Sequence, residues 1–414
     1  MSPKRIVLCL DGTWNSPYDE QMYEDGKTVL KPSNVLKLAR AVLPRDAGGR
    51  EQLVYYDLGV GSLAKYPGLA NRLLARADKM LGGMFAAGFE GNVEDALGFL
   101  AMNYLEGDEV LIFGFSRGAA TARAITRFIQ WCGGLPVKAD AYYLALLFRE
   151  YVVTCGESKP TITKAKIVPV PVAYLGVWDT VAAVGSLVQM LRGDSNNPKR
   201  SFHVGPSPVP CVKSARQALA VDERRVDFPP EIWKCPSDQS QEMEQRWFAG
   251  VHSNVGGSYL RDGLANITLR WIIAGAPGLQ LDTEFLAPYG ENPEGTQYES
   301  RTRKYRVLEA IRGVRGKGVR NLTGHPASAN LDLHPTVIDR KRMPEVWFNP
   351  TMKKEIRQPY RPDNVLRYLA TISDLPAYLA RIGSPGALPN DVMTRIDELR
   401  KEAPPLAAAG LRTP

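Results

Sequence analysis

Short unbroken apolar runs alternate with helix-spaced stretches through the first half of the chain. Arg5–Leu10 (RIVLCL) reads as a buried strand, and Asp11–Asn15 follows it as a turn. Leu53–Asp57 is a second candidate strand, and Glu109–Phe113 (EVLIF) a third. Between them, Val93, Ala96, Leu97, Leu100 and Tyr104 recur at helical spacing and predict a helix over Asn92–Tyr104. A second helix, Arg117–Trp131, starts directly after the third strand. Val172–Trp178 and Gln245–Phe248 complete the predicted strands, and Leu264–Ala276 reads as a buried helix. Strands alternating with helices are the pattern of a mostly parallel sheet with helices on both faces. The expected class is therefore α/β.

Irregular stretches interrupt this pattern. Ser195–Cys211 reads as a long loop and Asn292–Tyr298 as a turn-rich segment. Ala403–Pro414 is a Pro/Ala-rich tail expected to be disordered. No repeat at a solenoid period is present. A boundary near Ala276–Asn292 is weak, so residues 1–402 are expected to form one catalytic domain. Loop or lid insertions are expected near 62–90, 138–170, 185–212 and 285–330. Tyr66–Phe89 spaces Arg72, Arg76 and Lys79 among apolar residues, as a packed helix, a lid or a bilayer-lying helix would.

Composition narrows the partners. Of 414 residues, 44% are hydrophobic and 23% charged, as in ordinary globular proteins. The net charge of +8 favours anionic partners, phospholipid headgroups among them. Much of the excess lies in 301–320, where Arg301, Arg303, Lys304, Arg306, Arg312, Arg315, Lys317 and Arg320 face only Glu309. That segment reads as a solvated helix and loop, or as a surface for anionic lipid. No nucleic-acid motif accompanies it, so no nucleic-acid partner is expected. Five scattered cysteines without a CxxC pair argue against a disulfide framework and against a zinc site. The N-terminal run lacks a signal peptide's h-region and cleavage site, and no run of apolar residues is long enough to span a bilayer. The expected location is the cytoplasm, with any export through a signal-independent system.

Candidate chemistry centres on Gly114-Phe115-Ser116-Arg117-Gly118, between a predicted strand and a predicted helix. A nucleophilic serine at such an elbow sits on a strained backbone, and glycines two residues to either side let neighbouring elements approach. The Arg117 N–H at the start of the helix would supply half of an oxyanion hole. Small residues Ala119, Ala120 and Ala122 would let that helix pack closely.

A serine needs a base, and the base an orienting carboxylate. The chain has four histidines: His203, His252, His325 and His334. His252 follows a predicted strand on a glycine-bounded loop, which is where a base must hang, and His334 is the alternative. Asp179 ends the strand Val172–Trp178 and is the candidate acid. Asp222 competes, but its charged neighbours suggest an ion-paired structural cluster. Asp11-Gly12-Thr13 is similar to part of the DxDGT start of aspartyl-phosphate phosphatases, yet Cys9 stands where that nucleophile belongs. The turn is better read as the source of a second oxyanion N–H, from Gly12 or Thr13, with Asp11 bracing it or forming a simple turn.

Seven ordered motifs carry a family resemblance over roughly Lys4–Leu366: DGTWN at 11–15, YYDLGVG at 55–61, GFSRGAATARA at 114–124, VWDTV at 177–181, AVDERR at 220–225, WFAGVHSNVGGSY at 247–259 and HPTVIDR at 334–340. Together they resemble the catalytic-domain family of type VI secretion phospholipase effectors, which is similar to α/β-hydrolases. The resemblance implies a Ser-Asp-His triad of Ser116, Asp179 and His252, with no cofactor and no metal. Where the family's motif reads HSDVGG, this chain has Asn254, a neutral group beside the base. An ester or phospholipid substrate, peripheral membrane contact and a secretion-apparatus or immunity partner are implied as well. The competing expectations are an esterase for soluble or polymeric esters, and a non-catalytic scaffold on a hydrolase fold.

Overall fold

The structure is a computed structural model that describes residues 2–12, 20–22, 28–59, 85–181, 204–311, 318–351 and 354–402. The expected lid region 66–84, the loop 195–203 with His203, and the tail 403–414 lie outside the described residues.

The largest sheet among the described residues has seven strands: β1 (Arg5–Leu10), β2 (Gln52–Asp57), β3 (Glu109–Phe115), β4 (Val172–Trp178), β5 (Val212–Ala220), β6 (Glu242–Phe248) and β7 (Leu331–Leu333). Their order across the sheet is β7-β6-β5-β4-β3-β1-β2, and every pairing is parallel. A parallel strand carrying helices on both faces has no wet side, which is why Ile6–Leu10 are all fully buried. Alternation along the strands divides the core. Ile6, Leu8, Val110 and Ile112 face α2 (Phe85–Asn103), α3 (Arg117–Cys132) and α4 (Leu144–Thr154). Val7, Cys9, Leu111 and Phe113 face α1 (Asn34–Ala41) and α6 (Gly263–Ile273). The chain is thus an α/β protein with a parallel central sheet, as its pattern predicts.

Chain order fixes where a site can form. The chain leaves β1 for β2 on one side and returns to β3 on the other, so the carboxyl ends of β1 and β3 flank a topological switch point. The register pairs Leu10 with Gly114, and Phe115 with Trp178. Ser116 and Asp179 are therefore the next residues past neighbouring strand ends.

The structure extends or corrects several boundaries. The helix expected from Asn92 begins at Phe85. β5, β7 and α1 were not anticipated; β5 carries Lys213, Ser214, Arg216 and Gln217 among its apolar residues, which hides its burial. The region after 276 contributes β7, a small sheet of Gln297–Tyr298, Val346–Asn349 and Ile356–Gln358, and the helices α7 (Pro335–Arg342), α8 (Asp363–Ala370), α9 (Leu375–Arg381) and α10 (Asn390–Glu402). Leu219 and Trp247 of the central sheet pack into the core of these helices.

Candidate active site

Ser116 sits at the end of β3 with φ 59° and ψ −119°, a left-handed-side backbone that a residue with a Cβ rarely adopts. It is the N-cap of α3 but caps no backbone N–H with its side chain, so the hydroxyl is not engaged in the helix. The flanking glycines are required by space. A Cβ on Gly118 would stand 2.1 Å from the Leu10 carbonyl oxygen, and one on Gly114 would stand 2.4 Å from the Gly118 carbonyl oxygen. Ser116 N–H donates to the Trp178 carbonyl at 3.0 Å, tying the elbow to the end of β4.

Asp179 follows that carbonyl. It also has a positive φ, 42°, and is fully buried. Its Oδ2 lies 2.6 Å from Nδ1 of His252, the first residue of α5 (His252–Gly256), just past β6. His252 thus begins a short helix rather than sitting on the expected loop, and its backbone N–H donates to Glu223 Oε2 at 3.1 Å. The imidazole packs against the ring of Phe115, the neighbour of Ser116, at 4.7 Å, and against Phe228 at 5.1 Å. Residues from the ends of β3, β4 and β6 therefore meet at one sheet edge.

Three charged residues complete the surroundings: Arg320, Glu223 and Arg225. Arg320 donates from Nη1 to Asp179 Oδ1 and from Nη2 to Oδ2, the latter at 2.9 Å. The Ala220 N–H adds a fourth bond, to Oδ1 at 2.9 Å. Burial alone would push the Asp179 carboxyl up, but the Arg320 guanidinium and the His252 bond outweigh it and hold the group well below the usual carboxylate range. Burial lowers the His252 pKa against the opposing pull of Asp179, which favours the neutral imidazole. Glu223 is also buried; Arg225, bonded to it at 2.9 Å, outweighs burial and brings its pKa down to about 2.

Arg320 corrects the reading of 301–320 as a solvated basic segment. It is only 4% exposed and points into the site, while Arg301 pairs with Glu309 at 2.6 Å. Arg303 and Arg306 are exposed as expected, and Arg312, Arg315 and Lys317 lie outside the described residues. No sequence signal separates a buried arginine from its neighbours in such a run. Asp222 is not the ion-paired group expected: it accepts from the Gly250 N–H at 2.6 Å and from the Tyr360 hydroxyl at 2.9 Å. The ion pair in that turn belongs to Glu223 and Arg225.

The remaining candidates sit around this cluster. Asp11 accepts from Gly12 N–H at 2.6 Å, from Tyr56 at 2.8 Å and from Ser33, so its carboxylate braces the turn after β1. Gly12 N–H is thereby engaged, and Thr13 lies outside the described residues. Burial brings the Arg117 pKa down to about 9. Asn254 receives the Tyr298 N–H at 3.1 Å and donates to the Thr296 carbonyl at 3.0 Å, which pins α5 to the small sheet. His334 is not joined to the pair. It caps α7, bonds Thr336 at 2.9 Å and stacks on Phe248 at 4.3 Å. His325 is on the surface, bonded to the Asn321 carbonyl. Among the described residues, no cluster of His, Cys, Asp and Glu has the makings of a metal site, and no helix is long and apolar enough to cross a membrane.

Comparison with known proteins extends this picture. A stretch of 248 residues is 28% identical to the uncharacterized protein YEL023C of Saccharomyces cerevisiae, covering 55% of this chain and 32% of the yeast protein. The chain thus spans about a third of the length of that relative. Among solved structures, an uncharacterized protein from Pseudomonas aeruginosa aligns with 97% of this chain and 62% of its own, at 16% identity and a TM-score of 0.40. The Tle1 effector bound to the VgrG spike of the type 6 secretion system aligns with 98% of this chain and 81% of its own, at 17% identity and a TM-score of 0.36. The family described as "T6SS, Phospholipase effector Tle1-like, catalytic domain" matches residues 4–275, which hold Ser116, Asp179 and His252. By that match the chain belongs to the Tle1-like phospholipase effector family.

Proposed function

We propose that the protein is a serine hydrolase that cleaves the carboxylic esters of phospholipids through an acyl-enzyme on Ser116. The observation that carries this reading is the buried 2.6 Å contact of Asp179 with His252, beside the strained elbow that presents Ser116. With its Nδ1 proton shared with Asp179, the imidazole keeps Nε2 as an acceptor. Nε2 takes the Ser116 proton as the hydroxyl oxygen attacks the ester carbonyl carbon. The negative charge moves to the carbonyl oxygen, where the Arg117 N–H receives it; one such donor is worth about 3 kcal/mol of barrier. The turn after β1 supplies the second donor. Gly12 and Thr13 are its candidates, and the Gly12 N–H is already engaged with Asp11. Collapse expels the alcohol, protonated by the imidazolium. Water, deprotonated by the same Nε2, then releases the fatty acid and restores Ser116. Asp11 is no rival nucleophile: its carboxylate is engaged by the Gly12 N–H and the Ser33 and Tyr56 hydroxyls, and Cys9 stands where that motif needs its nucleophile.

The family supports lipid as the substrate class, and its solved Tle1 member, bound to a VgrG spike, supports delivery by a secretion apparatus. We extend to this chain signal-independent export, an immunity partner and peripheral contact with the bilayer. The test combines two probes. A fluorophosphonate is expected to label wild type and not Ser116→Ala. Phosphatidylethanolamine–phosphatidylglycerol vesicles are expected to release fatty acid with wild type alone. An unlabelled wild type would leave the chain a scaffold; labelling with p-nitrophenyl butyrate turnover but intact vesicles would reassign it to soluble or polymeric esters.

A further inference from the structure

The acid of this site is gripped by an arginine as well as by its histidine. Asp179 is fully buried, and all four of its strong acceptor positions are taken: Oδ1 by Arg320 Nη1 and Ala220 N–H, Oδ2 by Arg320 Nη2 and His252. Arg320 is anchored in turn, donating to the Ala220 carbonyl at 2.9 Å and the Phe228 carbonyl at 3.0 Å. A fork held at both prongs fixes the plane of the carboxylate, which a lysine's single ammonium cannot do.

We propose that Arg320 is a positioning residue for the reaction: its fork aims one oxygen of Asp179 at His252, and its charge shares that carboxylate so that the imidazole stays an unprotonated base in acidic media. This rests on the reading of Ser116, Asp179 and His252 given above. Charge balance supports it. The charged groups that act on the imidazole are Asp179 from the end of β4, and Glu223 and Arg225 from the turn after β5; Tyr259, beyond α5, faces Glu223 and Arg225. Asp222 is turned away to Gly250 and Tyr360. Arg225 balances Glu223, and Arg320 balances Asp179. With a neutral imidazole the cluster carries no net charge, so a proton added to it creates a buried cation. Without Arg320, the Asp179–His252 pair holds one uncompensated negative charge in an apolar setting. It then takes up a proton at higher pH, whichever of the two receives it. Either way the base is lost.

The test uses the full chain and two variants, Arg320→Met and Arg320→Lys. The pair's titration is followed by the Cε1 resonance of His252 in histidine-labelled protein, which needs no activity; turnover is followed with p-nitrophenyl butyrate from pH 4 to 9. In Arg320→Met the titration of His252 and the acid limb of kcat/KM are expected to move up together by about one pH unit, the usual effect of a neighbouring charge. Its kcat is expected to fall about ten- to a hundredfold with KM nearly unchanged, as when a group that orients an active-site ligand is removed. In Arg320→Lys the acid limb stays in place while kcat falls, because charge is kept and the fork is lost. A folded Arg320→Met with the wild-type titration overturns the proposal. Should that variant not fold, wild-type kcat in Arg320→Lys overturns the positioning claim by itself. If His252 shifts but wild type neither labels with fluorophosphonate nor turns over ester, the serine-hydrolase reading falls and the coupling of Arg320 to the pair stands.

Discussion

Two histidines stand near the carboxyl edge of the sheet, and their surroundings assign them different work. His252 has a carboxylate on Nδ1 and charges on several sides; His334 has a threonine hydroxyl and the face of Phe248. Burial, aided by the charge of Arg246, brings the His334 pKa down to about 3, so this ring stays neutral, and among the described residues no carboxylate bonds it to stabilise an imidazolium. Its part is to cap α7 and pack. His334→Gln is therefore expected to keep kcat within about twofold of wild type and to cost about 1 kcal/mol of stability, the typical worth of a helix cap. His252→Ala is expected to lower kcat by about four orders of magnitude, as loss of a triad base does. Steady-state kinetics on the two variants, with thermal melts, makes the comparison. The opposite pattern would transfer the base to His334 and break the proposed triad.

At the scale of elements, the turn after β5 does for α5 what the elbow does for α3. Glu223 gathers the N–H groups of Arg224, Arg225 and His252, the Arg225 side chain and the Ser300 hydroxyl, fixing the start of the helix that carries the imidazole. The group is nearly fully buried, and its folded pKa is depressed to about 2. A depressed carboxyl contributes stability that is complete above its unfolded value and fades as pH falls from there to the folded value. The contribution here is up to about 3 kcal/mol at neutral pH, lost between about pH 4.5 and 2. Glu223→Gln is expected to be less stable than wild type at pH 7, with the gap closing across that acid window in denaturant melts. A gap that persists at pH 2 would mean packing, not charge, is at stake.

Such turns explain what was legible beforehand and what was not. β1, β3 and β4 are readable because parallel central strands are buried on both faces and show as unbroken apolar runs. The elbow is readable because a serine with those backbone angles needs glycines at fixed offsets. β5 stayed hidden because polar residues interrupt it: Lys213 is exposed, whereas Gln217 is buried by bonds to Gln245 at 2.9 Å and Thr180 at 2.6 Å, neither close in sequence. Arg320 stayed hidden for the same reason. Its partner lies 141 residues away, and its meaning is set by that partner rather than by its neighbours in the chain.

Across the whole molecule, the region beyond the family match closes the site from behind. Arg320, Ser300 and Tyr360 all come from it and bond Asp179, Glu223 and Asp222. It is held to the sheet by α7, where Val337 and Ile338 are fully buried and join the core that includes Leu219 and Trp247. That helix also carries Lys341, fully buried beside the Tyr360 ring, with no hydrogen-bond partner for Nζ among the described residues. Its neighbour Arg340, by contrast, donates to the carbonyls of Pro293, Gly295 and Trp347. Burial, with the charge of Arg361, brings the Lys341 pKa down to about 7. The unfolded chain keeps a proton that the folded protein gives up between about pH 10.5 and 7, so wild-type stability rises with pH over that window. The cost carried at pH 7 is up to about 4 kcal/mol. Met matches the lysine stem and brings no charge to bury, so Lys341→Met is expected to unfold at a higher denaturant midpoint at pH 7. Its advantage should shrink as pH rises from 7 towards about 10.5 and vanish only above that, where the wild-type amine is neutral in both states. A variant that is less stable at pH 7, or an advantage that does not change with pH, would mean the ammonium has a compensating partner and that the tie between α7 and the sheet depends on it.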